Sequence, residues 1–149
     1  MSDKLYKIGA GVGVMVLNKK GQLLLGHRPL DSGSEFGQID SWALVGGKVE
    51  YGETFEQAAI RETMEEAGIK IIDPEVKTLQ SDISDKAHFI TVGLVAKKFE
   101  GEPKVMLPDE MDCWAWFDLD KLPEISYFPS QKVIEKYREG IFYKPEEEK

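Results

Sequence analysis

Three glutamates on one predicted helical turn are the residues of this sequence best suited to chemistry. Glu62 lies three residues before Glu65 and four residues before Glu66, and like charges at those spacings on a helix repel one another. A divalent cation would offset this repulsion, because hard cations such as Mg²⁺ bind carboxylate oxygens and are commonly shared with substrate phosphates. The spacing therefore indicates phosphate chemistry, and a solvated acidic helix face is the alternative.

The helix that carries these glutamates has clear start and stop signals. Thr54 and Gln57 form a capping-box pattern that predicts a helix beginning at Phe55, and Gly68 predicts its end. At 100° per residue, the glutamates continue one apolar row of this helix instead of lying opposite it. We therefore expect them at the floor of a cleft.

The glutamates belong to a longer pattern of residues at fixed spacing. Its members are Gly47, Glu53, Arg61, Glu62, Glu65, Glu66, Gly68 and Ile69. This pattern resembles the signature of the Nudix hydrolases, and it departs from that signature only at Thr63, where an aliphatic residue is more usual. The resemblance implies an α/β fold, specifically an α/β/α sandwich with a mixed β-sheet, and hydrolysis of a diphosphate linkage.

The same resemblance implies a metal site. The residues that match the ligands of the family are Glu62, Glu65 and Glu66, which would bind Mg²⁺ or Mn²⁺, and the backbone carbonyl of Gly46 would be a further ligand. Glu110 resembles a distal acidic residue that some relatives use as an extra ligand or as a base, and an ordinary surface residue is the alternative. Which of these glutamates acts as the general base stays open.

Arg61 and Glu53 complete the predicted catalytic group. Arg61 lies eight residues after Glu53 and four before Glu65. Because arginine favours paired sites, we expect Arg61 to be an internal clamp that holds the loop against the helix, in preference to a substrate contact.

Candidates for substrate contact lie on the flanking elements. Arg28 ends an apolar strand, and its forked donors suit phosphate oxygens, although a solvated strand-end arginine is equally consistent. Gly47 allows close approach of the backbone to a ligand, and Lys48 follows it. Trp42 could stack on a base, and His88 could line the pocket, with core packing as the alternative for both.

Apolar periodicity predicts a mixed set of strands around the central helix. Ile8–Leu17 and Gln22–Arg28 are predicted to form a hairpin, followed by a long loop over Pro29–Ser41. His88–Ala96 is predicted to be a central, doubly covered strand. The other predicted elements are strands at Trp42–Val45, Ile69–Ile72, Val76–Ile83 and Trp114–Phe117, and a final helix capped by Ser130 and ended by Gly140.

Bulk properties limit the class of protein. The 149 residues predict one domain over positions 1–149, with 42% hydrophobic and 31% charged residues. A net charge of −8 argues against a partner that is a nucleic-acid polymer, since duplex binding needs a cationic surface. The single cysteine, Cys113, is expected to be a packing residue in a cytoplasmic protein, and no apolar run is long enough to cross a membrane.

The wider sequence narrows the expected substrate. Segments such as WALVGGKVEYGE and WAWFDLDKLP are similar to those of small MutT-like Nudix enzymes that hydrolyse nucleoside triphosphates, including oxidised purine nucleotides such as 8-oxo-dGTP. Val45 departs from that subgroup, which generally has proline before the glycine pair. The resemblance leaves open a nucleoside-diphosphate-sugar hydrolase and a non-catalytic nucleotide-binding module. Many relatives are dimers, so a homodimer is also left open.

Overall fold

The computed structural model describes residues 7–29, 41–125 and 127–145 of the chain. Most of the predicted loop at Pro29–Ser41 lies outside these residues. In chain order the elements are β1 Ile8–Val16, β2 Leu23–Arg28, β3 Ser41–Ala43, β4 Val45–Lys48, α1 Phe55–Ala67, β5 Lys70–Ile72, β6 Glu75–Ile83, β7 His88–Ala96, β8 Lys98–Glu100, β9 Cys113–Phe117 and α2 Phe128–Glu139.

A four-stranded mixed sheet in the order β4-β1-β7-β6 forms the centre of the fold. β1 and β7 run parallel, whereas β4 and β6 are antiparallel to their neighbours. The predicted central position of His88–Ala96 is confirmed. Two smaller sheets, β3-β2-β9 and β5-β8, complete the strand structure.

The two helices cover opposite faces of the central sheet. Because side chains alternate along a strand, Val12 and Val14 of β1 pack in one core with Ala59 of α1, and Met15 packs in another with Val133 of α2. All five side chains are less than 5% exposed. The predicted α/β/α sandwich with a mixed sheet is therefore confirmed.

The predicted β1–β2 hairpin is wrong beyond its turn. The turn itself forms, because the Asn18 side chain accepts hydrogen bonds from the backbone N–H groups of Lys20 and Gln22 at 3.0 and 2.9 Å. After a single bridge between Leu17 and Leu23, however, β2 pairs with β3 and β9. Both edges of β1 are occupied by β4 and β7, so β2 has no free edge of β1 with which to pair.

Helix α1 follows its sequence signals at both ends, whereas α2 follows only the signal at its end, where Gly140 is the C-cap as predicted. Thr54 is the N-cap of α1 with both capping-box bonds present, and Gly68 ends the helix in the left-handed conformation at φ 68°. Helix α2 begins earlier than predicted, with Tyr127 as its N-cap, so the prediction that Ser130 caps it is wrong. The Ser130 hydroxyl instead accepts a hydrogen bond from the Leu44 backbone N–H at 3.0 Å.

Two further observations concern the surface. Cys113 is exposed at the start of β9, so its prediction as a packing residue is wrong. No helix within the described ranges is long and apolar enough to span a membrane.

Candidate catalytic site

Arg61 clamps the loop that precedes α1 onto the helix. Its Nε donates to Glu53 Oε2 at 2.6 Å and its Nη2 donates to Glu53 Oε1 at 2.9 Å, which makes a two-pronged pair. Nη2 also donates to the Lys48 carbonyl oxygen at 2.9 Å. The bonds from Arg61, together with the Glu50 backbone N–H, lower the pKa of Glu53 to about 2. The ion pair expected from the sequence is present, and its catalytic importance stays a prediction.

Glu62 and Glu66 lie against the glycine pair Gly46 and Gly47 within β4. A Cβ atom on Gly47 would overlap the Glu62 carboxylate, so only glycine permits this close approach of backbone and carboxylate. The Gly46 backbone N–H points at Glu66 Oε1 at 3.5 Å. The two carboxyl groups are close enough that each affects the pKa of the other.

Burial and mutual repulsion make this carboxyl pair hard to ionise fully. Burial raises the pKa of Glu66 well above its ordinary value, and the neighbouring Glu62 charge raises it further. Burial also raises the pKa of Glu62, although the Arg61 guanidinium opposes that change. A bound cation would offset this repulsion and favour the ionised form of both carboxyls. The pair supplies hard oxygen donors, which fits a divalent cation such as Mg²⁺.

The structure does not bring all three glutamates together. Glu65 is exposed, with 49% of its side chain accessible, and it pairs with Arg61 Nη1 at 3.1 Å on the solvent side of α1. Across the described part of the chain, no three side chains of His, Cys, Asp or Glu are grouped so that they could hold a metal ion. The arrangement therefore offers two carboxylates as ligands, a number that is common for Mg²⁺ when substrate phosphates complete the shell, and the Gly46 carbonyl stays a predicted ligand.

A cavity of about 260 Å³ opens beside the carboxyl pair. Its wall includes Glu66 and the exposed Glu110, whose charge contributes to the raised pKa of Glu66. Two cationic side chains also line it: the Arg28 guanidinium lies 4.8 Å from the centre of the Tyr127 ring, and the Lys48 ammonium lies 5.6 Å from the centre of the Phe89 ring. The other lining residues are Gly11, Val12, Gly13, Leu44, Val45, Gly46, Gly47, Thr91, Met111, Pro129 and Ser130.

Two predicted substrate contacts lie away from this cavity. Trp42 packs edge-on against Phe117 and His27, with ring centres 5.0 and 5.3 Å apart. His88 is paired with Ile8 at the beginning of β7. Neither residue is among those that line the cavity, so their contact with substrate stays a prediction.

Sequence reasoning missed the contribution of β7 to the cavity. Phe89 and Thr91 both line it, and Thr91 lies beside Gly11 of β1 in the sheet register. The signal that could have found them is the alternation of β7, since residues two apart on a strand share a face. Ser130 was read as a helix cap, and its contact with Leu44 depends on a residue 86 positions away.

The chain is similar to known proteins in both sequence and structure. The NUDIX domain model matches residues 7–137. An RNA pyrophosphohydrolase from Agrobacterium fabrum is 31% identical, covering 83% of this chain and 85% of that protein. An oxidized purine nucleoside triphosphate hydrolase from Danio rerio is 32% identical, covering 78% and 75%. The crystal structure of a MutT NUDIX hydrolase from Burkholderia pseudomallei is similar with a TM-score of 0.78 and 29% identity, covering 87% and 97%. The matched region contains both the carboxyl pair and the cavity.

Proposed function

The chain belongs to the Nudix hydrolase family, and we propose that it is a Mg²⁺-dependent enzyme that cleaves a nucleoside triphosphate into a nucleoside monophosphate and pyrophosphate. It is a pyrophosphohydrolase that acts on nucleotide anhydride bonds. The proposal goes beyond family membership in naming Mg²⁺ as the metal, a nucleoside triphosphate as the substrate, and the residues that form the site. The observation that supports it most is the close pair of Glu62 and Glu66 against the glycine pair, with Glu66 at the wall of a cavity that also carries cationic side chains.

Each part of the site has a role in this proposal. Glu62, Glu66 and the Gly46 carbonyl would hold the cation, and Mn²⁺ could replace Mg²⁺. When bound, a divalent cation neutralises phosphate charge and makes water a stronger nucleophile near neutral pH. Arg28 and Lys48, which line the same cavity, would bind phosphate oxygens.

Other predicted residues hold the proposed cation site in place or supply further carboxylates. Arg61 and Glu53 hold the loop so that Gly47 stays against the Glu62 carboxylate. Glu65 and Glu110 are the carboxylates left for proton transfer or for completing the ligand shell, because both are exposed. The general base among the glutamates stays open. A cytoplasmic location and a homodimer also stay predictions.

The size of the cavity favours a single nucleotide as substrate. At about 260 Å³ it lies near the lower end of ligand pockets, which begin at roughly 300 Å³. A sugar nucleotide has a second bulky group beyond the diphosphate, and the described walls of this cavity leave less room for it. The oxidized purine nucleoside triphosphate hydrolase from Danio rerio supports the same substrate class.

A second candidate substrate is the triphosphate at the 5′ end of an RNA chain. The relative from Agrobacterium fabrum is named as an RNA pyrophosphohydrolase, and only a terminal nucleotide of such a substrate would have to enter the cavity. The net charge of −8 weighs against it, since an RNA chain brings many phosphates close to an acidic surface.

A substrate panel separates these possibilities. Purified protein is incubated with Mg²⁺ or Mn²⁺ and with nucleoside triphosphates, oxidised purine triphosphates, a triphosphate-ended RNA oligomer and nucleoside-diphosphate sugars, and products are identified by mass. The proposal predicts that triphosphates give monophosphate and pyrophosphate. Preferential cleavage of the RNA would support the second candidate, and cleavage of sugar nucleotides would support a different hydrolase. Inactivity on the whole panel would indicate a non-catalytic nucleotide-binding module.

A further inference from the structure

We propose that Ser130 of α2 is a positioning residue that holds the backbone leading to Gly46 and Gly47, and so sets the geometry of the cation site through Leu44. This inference rests on the proposed use of a divalent cation. It concerns a hydroxyl group that lies outside the signature pattern and on a different helix from the glutamates.

Leu44 occupies the junction where the chain passes from one sheet to another. It follows β3 of the three-stranded sheet and precedes β4 of the four-stranded sheet, and it belongs to neither ladder. Leu44 is only 4% exposed, so its backbone N–H has little access to water. The Ser130 Oγ, itself in a residue 5% exposed, accepts from this N–H at 3.0 Å. A buried amide that would otherwise lose its hydrogen bond is thus tied to α2.

The first turns of α2 are fixed to the far edge of the central sheet by a buried polar network. The Gln80 side-chain N–H₂ donates to the Pro129 carbonyl at 3.0 Å, and the Lys132 ammonium donates to Asp82 Oδ1 at 2.7 Å. Asp82 is fully buried. Burying such a pair contributes little stability on its own, which favours a role in fixing position. Ser130 lies between the two anchored residues, so its hydroxyl has a defined place relative to β6.

Leu44 is close in sequence to the two glycines that contact the carboxyl pair. After Leu44 come Val45, Gly46 and Gly47, and the two glycines contact Glu66 and Glu62 respectively. Glycines restrict the backbone least of all residues, and Val45 lacks the ring with which a proline would fix φ. The hydrogen bond at Leu44 therefore restrains the segment that must place the Gly46 carbonyl beside the carboxylates.

The chain offers a matched control for testing this role. Ser84 lies in the turn between β6 and β7, where its Oγ also accepts from backbone N–H groups, those of Lys86 at 3.2 Å and Ala87 at 3.1 Å. Ser130→Ala and Ser84→Ala therefore remove the same kind of hydrogen bond. Ser130→Ala removes it near the glycine pair, and Ser84→Ala removes it away from that pair. Ser130→Cys is a second test variant of nearly the same size, with sulfur as a much weaker acceptor.

Three measurements are made on wild type and all variants. They are amide exchange of Leu44 in the metal-free protein, Mn²⁺ affinity by electron paramagnetic resonance, and kcat and KM on the best nucleotide of the panel. We expect Ser130→Ala to speed Leu44 exchange and to weaken Mn²⁺ binding and kcat by about tenfold, as is typical when a group that orients a metal ligand is lost. KM should change little, and Ser130→Cys should shift each quantity in the same direction. Ser84→Ala should match wild type.

Each other result counts against the inference. If Leu44 exchange accelerates in Ser130→Ala while Mn²⁺ affinity and kcat stay at the wild-type level, the hydroxyl has only a structural role. If Ser84→Ala weakens Mn²⁺ binding equally, the effect is general loss of stability. Should Ser130→Ala fail to fold, wild-type Mn²⁺ affinity in Ser130→Cys overturns the proposal. A wild-type protein that binds no Mn²⁺ and cleaves nothing shows instead that the proposed function has failed.

Discussion

Replacing Glu66 with glutamine is expected to stabilise the metal-free protein while abolishing its activity. Burial, and then the charge of Glu62, raise the pKa of Glu66 well above its ordinary value of 4.5. The folded state therefore binds more protons than the unfolded state between pH 4.5 and this raised pKa. Over that window the free energy of unfolding falls as pH rises. Glutamine has no proton to lose, so the variant avoids this loss.

The size of the effect follows from linkage. Each unit by which the pKa of Glu66 is raised lowers the stability of the ionised, metal-free fold by about 1.4 kcal/mol. For a domain of this length, 1.4 kcal/mol corresponds to a change in Tm of roughly 3–6 °C. The turnover number of the variant should fall by more than the ~10–100-fold typical of losing an outer-shell partner, because Glu66 is itself a proposed ligand.

Calorimetry in the presence of a chelator measures the stability effect. Glu66→Gln should have a higher Tm than wild type at pH 8, and the difference should shrink as the pH approaches 4.5, the ordinary pKa of a glutamate carboxyl. Glu65→Gln is the matched control, because Glu65 is on the same helix but 49% exposed, and it should not gain stability. Adding Mn²⁺ should raise the Tm of wild type and leave that of Glu66→Gln almost unchanged.

A Tm of Glu66→Gln equal to or below that of wild type at pH 8 without metal would refute the reasoning. It would mean that Glu66 is ionised in the folded protein at no cost. An equal gain in Glu65→Gln would instead point to a general reduction of negative charge, since the net charge is −8.

Two further variants test residues that hold the elements around the site in position. Arg61→Lys should lower kcat by about tenfold in the panel assay, because lysine cannot make the two-pronged pair with Glu53 while also reaching the Lys48 carbonyl. The Glu53–Arg61 pair should stabilise the fold above pH 4.5, and this effect should be lost as the pH falls towards about 2. In acid denaturation the variant should therefore be less stable than wild type above pH 4.5, and the difference should disappear near pH 2. Lys132→Met should reduce the free energy of unfolding in urea by on the order of 3 kcal/mol, because Asp82 is fully buried and loses its ion-pair partner. A loss in urea below about 1 kcal/mol would contradict that account, since it is the size expected of an exposed pair.

Local signals predicted the catalytic helix well. The capping box at Thr54 and the left-handed Gly68 define the ends of α1 because their hydrogen bonds lie within a few residues. Thr63, the departure from the usual pattern, is also explained locally, since its buried hydroxyl donates to the Ala59 carbonyl at 2.7 Å.

Contacts between distant elements defeated the sequence predictions. The β1–β2 hairpin was expected from a short turn, but strand partners depend on which edges are still free after β4 and β7 have paired. Within α1, Glu65 pairs with Arg61 on the solvent side of the helix, and its role as a ligand or base stays a prediction. Spacing along a helix fixes which residues are neighbours, and it does not fix which rotamer each side chain adopts.

The sequence by itself determined the family, the layered α/β/α architecture and the helix that carries the glutamates, because these depend on spacing and periodicity along the chain. Only the tertiary structure decided that Glu62 and Glu66 share a buried site with the glycine pair, that Phe89 and Thr91 line the cavity, and that Ser130 supports Leu44. The physical reason is that burial and hydrogen bonding between remote segments depend on how the helices pack on the two faces of the sheet.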